Sequence, residues 1–86
     1  MLANINDEDM ILAQITSKPY ADPRAVRITD QHFLSGSLRV TSYVRPGKLF
    51  TALRSLIKAE VGRLKLEMFR IVIDSVVATF NAGAVT

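Results

Sequence analysis

The sequence has 86 residues, enough for one small domain, and 49% of them are apolar, which excludes a disordered tail. It contains no cysteine, so disulfide bonds and thiolate metal sites are excluded, and we expect a cytoplasmic protein. The most apolar stretch, residues 71–85, is interrupted by Asp74 and Asn81, and the three acids at residues 7–9 are unlike a signal peptide. We therefore expect neither a membrane-spanning segment nor a membrane partner.

The net charge is +3, and the basic residues are concentrated in the middle of the chain. Residues 18–48 carry six Lys and Arg side chains against two Asp side chains, whereas residues 1–17 carry three acids and no base. This distribution favours an anionic partner, such as a nucleic acid or an acidic peptide. An ordinary solvated surface is the alternative interpretation.

The first half of the chain predicts short strands separated by polar turns. The apolar run 10–15 follows an acidic turn and predicts a buried strand, and Pro19 breaks that strand. The polar residues Thr16, Ser17 and Lys18 are therefore expected at a strand end, at the mouth of a loop. Later elements are a loop at 19–23, a strand at 24–28 with Arg27 on the face opposite Val26 and Ile28, a helical turn at 32–34, a loop at 35–37 and a brief strand at 38–40.

The second half predicts two further strands and then one helix. Residues 41–44 and 49–53 favour strands, and Pro46 and Gly47 between them predict a bend or hairpin over 45–48. Residues 55–57 form a short apolar piece, and 58–64 are expected to be a linker. From residue 66 the apolar positions follow helical spacing, at Phe69, Val72, Ile73, Val76 and Phe80, with Lys65 before the helix and Gly83 at its end. The chain is predicted to be one mainly β domain over 1–86, a small open barrel or curled sheet with a C-terminal helix.

Few residues are candidates for catalysis, metal binding or phosphate binding. The single histidine, His32, has no carboxylate at a suitable spacing and is interpreted as a structural residue. The acids at 7–9 lack the rest of a metal-binding loop and are interpreted as a solvated turn, so no metal site and no cofactor are predicted. The remaining candidate is the strand end Thr16-Ser17-Lys18, where hydroxyls could donate to phosphate oxygens and Lys18 could supply positive charge. Turn formation is the alternative role for these hydroxyls.

Three segments of the chain carry a resemblance to a known family. They are residues 11–18 (ILAQITSK), 42–51 (SYVRPGKLFT) and 61–64 (VGRL). Together they resemble the MazF/PemK family, the growth-inhibiting toxins of bacterial type II toxin–antitoxin modules. The resemblance extends from about residue 10 to residue 80, and the block from Ser42 to Leu49 is its most specific part. It implies a compact SH3-like barrel with a C-terminal helix, usually assembled as a homodimer.

The resemblance also implies an activity, which is cleavage of single-stranded RNA without a metal ion. In this family the 2′-hydroxyl of the RNA attacks the neighbouring phosphate, and the family's catalytic Thr aligns with Thr16, followed by the hydroxyl of Ser17. Cationic residues expected to bind RNA beside them are Lys18, Arg24, Arg45 and Lys48. The implied partners are single-stranded RNA, a cognate antitoxin and, through the toxin–antitoxin complex, operator DNA.

The sequence departs from the family pattern at its N-terminal end. Family members begin with an apolar strand, a polar loop and an Arg-Pro-Ala step that carries the catalytic Arg, whereas the only Arg-Pro here is Arg45-Pro46, in a different block. We therefore expect two strands to be absent and RNA cleavage to be weak or lost, because an arginine stabilises the charge that builds on the phosphate. The alternatives are a non-catalytic module that binds nucleic acid or antitoxin, and a truncated gene product without function.

Overall fold

The described residues fold into six strands and one long helix. The computed structural model describes residues 2–18, 22–36, 38, 40–57 and 62–83. The strands are β1 (Ala3–Asn4), β2 (Asp9–Thr16), β3 (Val26–Ile28), β4 (Phe33–Gly36), β5 (Ser42–Leu53) and β6 (Gly62–Leu64), and the helix is α1 (Leu66–Ala82). Two single 3-10 turns, Asp30–His32 and Arg54–Leu56, precede β4 and follow β5.

The strands form two antiparallel sheets. The larger sheet has the order β1-β2-β5-β3, and the smaller one pairs β4 with β6. The larger sheet curls into half of a barrel. Strand β5 is central because it pairs with β2 on one side and with β3 on the other. The prediction of a mainly β chain with a C-terminal helix is confirmed.

Of the two alternatives predicted at 45–48, a bend or a hairpin, the hairpin is wrong, and the interruption is an irregularity within β5. Strand β5 continues through this segment, and the register against β2 jumps so that Ala13 faces Leu49 while Gln14 faces Arg45. Residues 46–48 of β5 therefore lie opposite the single step from Ala13 to Gln14 in β2, and they form an extended bulge. Pro46 cannot donate a hydrogen bond to a neighbouring strand, and the bulge is where a sheet tolerates such a residue.

Five smaller predictions also differ from the structure. The helical turn predicted at 32–34 lies instead at Asp30–His32, and residues 33 and 34 belong to β4. The second strand begins at Val26 rather than at residue 24, and the predicted loop at 35–36 belongs to β4. Leu38 and Val40 lie outside the strands, and residues 62–64 of the predicted linker form β6. Parts of the two predicted loops, of the brief strand and of the linker lie outside the described residues, namely 19–21, 37, 39 and 58–61.

Two glycines allow the small sheet to form. Gly36 has φ of 69°, a left-handed conformation that residues with a Cβ atom rarely adopt. Its partner Gly62 lies so close to β4 that a Cβ atom there would come within 2.7 Å of the Ser35 carbonyl oxygen. The pairing of β4 with β6 thus depends on residues that lack a side chain.

The helix lies where its apolar spacing predicts it. Lys65 occupies the N-cap without a side-chain hydrogen bond, and the backbone N–H of Gly83 closes the other end by donating to the Thr79 carbonyl at 3.1 Å. Val72 and Val76 are buried, whereas Phe80, the last residue of the predicted face, is 61% exposed. No helix in the described part of the chain is long and apolar enough to cross a membrane.

The core lies between α1 and the β5–β3 part of the larger sheet. Ile28, Val44 and Val72 are its buried centre, and half-buried apolar side chains surround them. The bulge also contacts the helix, because a Cβ atom on Gly47 would lie 3.9 Å from the Thr79 methyl carbon. This packing directs one face of the sheet toward the helix and leaves the opposite face for other contacts.

Candidate nucleic-acid interface

The sheet face opposite the core carries a line of three side chains that can bind other groups. Ile28 and Val44 point into the core, so Arg27 and Tyr43, their neighbours along the strands, point to the other face. The register places Thr16 and Arg27 directly opposite Tyr43, on either side of it. Directly opposed residues share a face. A hydroxyl, an aromatic ring and a guanidinium therefore lie side by side across three strands.

A second pair lies next to this line on the same face. Gln14 is opposite Arg45, and Arg45 Nη1 donates to Gln14 Oε1 at 3.2 Å. Arg45 Nε also lies 3.7 Å from Asp22 Oδ2, with the two side chains 19% and 18% exposed. Arg45 thus brings positive charge toward Thr16, and Asp22 partly neutralises it.

The Thr16 hydroxyl is held by a local turn. Its Oγ1 accepts a hydrogen bond from the Lys18 backbone N–H at 3.1 Å, and Ser17 and Lys18 are exposed. This contact is the turn-forming role weighed as the alternative for a strand-end hydroxyl. It uses one acceptor position on the oxygen, and a hydroxyl also has a hydrogen to donate. The two roles are therefore compatible, because the Thr16 hydroxyl keeps a hydrogen that it can donate.

The other predicted RNA-binding residues lie at the edges of this face. Arg24 is exposed in the turn before β3, where its N–H donates to Asp22 Oδ1 at 3.0 Å and its carbonyl accepts from Ser75 Oγ at 2.7 Å. Lys48 is exposed in the bulge and helps to line a groove of about 510 Å³. The structure therefore brings Arg45 to the face of Thr16 and leaves Arg24 and Lys48 at its periphery.

Two residues of this face, Tyr43 and Arg27, were not among the predicted site residues. A signal for Arg27 was present, because the alternation at 26–28 already placed it opposite Val26 and Ile28. Tyr43 stands between Ser42 and Val44, which are both buried, so the same period-2 alternation could have assigned its face. What sequence reasoning lacked was the pairing that sets both residues beside Thr16.

A polar groove of about 430 Å³ adjoins the face at Arg27. Its other lining residues include Thr29, Asp30, His32 and Thr41. His32 is half-buried and accepts a hydrogen bond at Nδ1 from the Thr29 backbone N–H at 3.0 Å, which agrees with its interpretation as a structural residue.

The acidic turn is built around an asparagine side chain. Asn6 Oδ1 accepts from the backbone N–H groups of Glu8 and Asp9, both at 2.8 Å, and Asp7 and Glu8 are exposed. Within the described ranges, no three His, Cys, Asp or Glu side chains are grouped closely enough to hold a metal ion.

No protein-family model matches this chain, and no curated protein matches it significantly.

Proposed function

We propose that this chain is a toxin component of a bacterial type II toxin–antitoxin module that binds single-stranded RNA and belongs to the metal-independent endoribonucleases of the MazF/PemK type. The proposal includes an SH3-like barrel as the fold, the cytoplasm as the compartment, and a homodimer as the assembled state. Its implied protein partner is a cognate antitoxin, which would link the chain to operator DNA.

The observation that carries the RNA-binding part is the line of Thr16, Tyr43 and Arg27. An open sheet face that combines an aromatic ring with cationic side chains suits single-stranded RNA, because a base can stack on the ring while a guanidinium contacts phosphate. Strand spacing puts the Thr16 and Arg27 backbones about 10 Å apart, with Tyr43 between them. Single-stranded RNA lying across the strands would meet all three groups.

The proposed reaction needs a donor at the phosphate next to the attacking 2′-hydroxyl. A bond forms between O2′ and phosphorus and the bond to O5′ breaks, which leaves a 2′,3′-cyclic phosphate and a 5′-hydroxyl. Thr16 would donate to a non-bridging phosphate oxygen, where negative charge accumulates in the transition state. Arg45 and Arg27 supply positive charge on the same face, and none of the described residues is assigned the role of the family's Arg-Pro-Ala arginine.

RNA binding without efficient cleavage is the second candidate. The observation that favours it is the contact between Arg45 and Asp22, because a nearby carboxylate weakens the field that the guanidinium exerts on a phosphate. We therefore expect RNA binding to be measurable and cleavage to be slow.

The test uses the purified chain and a labelled single-stranded RNA in EDTA. Binding is followed by fluorescence anisotropy across a salt series, and products are identified by mass spectrometry. We expect affinity to fall as salt rises, slow release of fragments ending in cyclic phosphate, and loss of most cleavage in Thr16→Ala. RNA carrying 2′-deoxyribose at the cleaved position should bind but remain intact.

Two controls separate the site from the rest of the surface. Arg70→Gln, on the exposed side of α1, removes the same charge as Arg27→Gln and should weaken RNA binding less. A fusion carrying a family-like N-terminal segment ending in Arg-Pro-Ala should cleave faster than the chain itself. Metal-free cleavage that survived Thr16→Ala would refute the site, and absence of salt-sensitive RNA binding would refute the function.

A further inference from the structure

The polar groove of about 430 Å³ begins at Arg27, which is also one end of the line formed with Tyr43 and Thr16. The backbone of Thr29 is extended, so the alternation of β3 continues to it. Its side chain therefore lies on the face of Arg27, about 7 Å further along the strand. Thr41, two residues before Tyr43, lines the groove as well. A nucleotide whose phosphate contacts Arg27 is thus close enough to place its base in the groove.

The imidazole of His32 contributes a hydrogen-bond donor to the groove. Its Nδ1 accepts from the Thr29 backbone N–H at 3.0 Å, so the proton of the neutral ring is on Nε2. The His32 backbone N–H donates to the Thr29 carbonyl at 3.0 Å, and the His32 carbonyl accepts from the Lys65 N–H at 2.8 Å. These bonds hold the residue at the start of α1 and fix the ring with an Nε2–H group that remains available.

Asp30 contributes the acceptors. It is exposed, and no residue in the described part of the chain bonds its carboxylate. An ionised carboxylate has two oxygens that only accept, so it can receive two parallel N–H groups from one ligand. The same charge repels a phosphate group. A ligand of the groove should therefore present N–H donors to Asp30 rather than an anion.

Apolar side chains complete the lining. Leu38 is half-buried and Val40 is 59% exposed, and both border the groove. A ligand that suits this lining has an apolar face and an edge that carries both donors and acceptors. An unstacked nucleobase has this form, and proteins read single-stranded RNA through the edges of such bases.

We propose that the polar groove binds a guanine base of single-stranded RNA, at the nucleotide next to the one that stacks on Tyr43. The inference rests on the proposed RNA binding and adds the base that this site prefers. Guanine presents N1–H and an N2 amino group side by side, and the Asp30 carboxylate can accept from both. Its O6 can accept from His32 Nε2–H, while Arg27 contacts the phosphate between the two nucleotides.

The other three bases match these groups less well. Adenine and cytosine each present one amino group beside an unprotonated ring nitrogen, so a carboxylate gains one bond and faces a lone pair. Uracil presents a single N–H between two carbonyl oxygens, which a carboxylate repels. Recognition through two parallel hydrogen bonds should favour guanine over each of them by about fivefold or more in affinity.

The test compares short single-stranded RNAs that differ at one position. A uridine hexamer is the reference, and guanosine, adenosine, cytidine or inosine replaces one uridine at each position in turn. Fluorescence anisotropy measures binding to the full chain. We expect guanosine at one position to raise affinity by about fivefold or more, and adenosine or cytidine there to stay within about twofold of the reference. Inosine lacks the N2 amino group and should lose most of the gain.

A matched pair of variants connects the preference to the groove. Asp30→Asn should lose the preference for guanosine and bind the uridine hexamer more tightly, because a negative charge is removed. Asp74→Asn, exposed on α1, removes the same charge and should keep the preference. The NMR signals of the Thr29, Asp30 and His32 amides should shift more with the guanosine hexamer than with the uridine hexamer.

The outcomes separate this inference from the proposed function. Equal affinity for all hexamers, or a guanosine preference that survives Asp30→Asn, would overturn the guanine site and leave RNA binding in place. Absence of salt-sensitive binding with every hexamer would refute RNA binding itself, and the guanine site with it.

Discussion

Arg45 Nε lies 3.7 Å from Asp22 Oδ2, and this contact joins the turn before β3 to the bulge of β5. Both side chains are mostly shielded from solvent, so the carboxylate acts on the guanidinium with less screening than at an open surface. The pair thereby lowers the positive potential of the face that holds Thr16. It also suggests how the charge of that face can be changed without altering the backbone.

Asp22→Asn should strengthen RNA binding by about two- to fivefold, because it removes a negative charge beside Arg45. Asparagine retains the Oδ1 acceptor that bonds the Arg24 N–H, so the turn is preserved. Fluorescence anisotropy with a short single-stranded RNA measures the change, and stability should fall by no more than about 1 kcal/mol. Asp74→Asn, exposed on α1, is the charge-matched control. Equal effects of the two substitutions would contradict a specific role for the Arg45–Asp22 pair.

Tyr43→Leu should reduce affinity for single-stranded RNA by about tenfold, because it removes the ring available for base stacking. Tyr43→Phe keeps the ring and should bind within about twofold of the wild type. The same anisotropy assay, with thermal unfolding recorded for each variant, distinguishes lost stacking from lost structure. If the leucine and phenylalanine variants bound RNA equally well, stacking on Tyr43 would be ruled out.

Gly62→Ala should destabilise the protein by about 1–3 kcal/mol, because its Cβ atom would come within 2.7 Å of the Ser35 carbonyl oxygen and 2.8 Å of the Phe33 ring. Gly47→Ala is the matched control, since its Cβ atom meets the Thr79 methyl group at an ordinary 3.9 Å. Its effect should stay within about 0.5 kcal/mol. Urea unfolding followed by circular dichroism gives both values. Equal stability of the two variants would mean that the β4–β6 pairing contributes little.

Val72→Ala should cost about 1.5–3 kcal/mol of unfolding free energy, because Val72 is 2% exposed at the centre of a thin core. Val77→Ala lies five residues further along α1, at a half-exposed position, and it should change stability by less than about 0.5 kcal/mol. Thermal or urea unfolding of the two variants checks this difference. Comparable losses would show that the helix packs through a different face from the one described.

The elements that sequence reasoning located are those whose pattern is local. Helix α1 has apolar positions at helical spacing over almost its whole length, and β2 is an apolar run bounded by polar turns. Strand β6 was missed because three residues carry too short a pattern, and their partner β4 lies about 30 residues earlier in the chain. The bulge was missed because Pro46 and Gly47 break a strand when only the local sequence is considered. In the structure, β5 pairs with β2 both before and after the bulge, and this pairing keeps the strand continuous.

The sequence by itself determined the strand class, the helix, the concentration of basic residues in the middle of the chain and the polar strand end at Thr16. Tertiary structure alone decided that Thr16, Tyr43 and Arg27 form one line and that Arg45 contacts Asp22. The reason is that the register of antiparallel strands depends on which distant strands pair. A shift of one residue in the register of a strand would turn the side chains of that strand to the other face of the sheet.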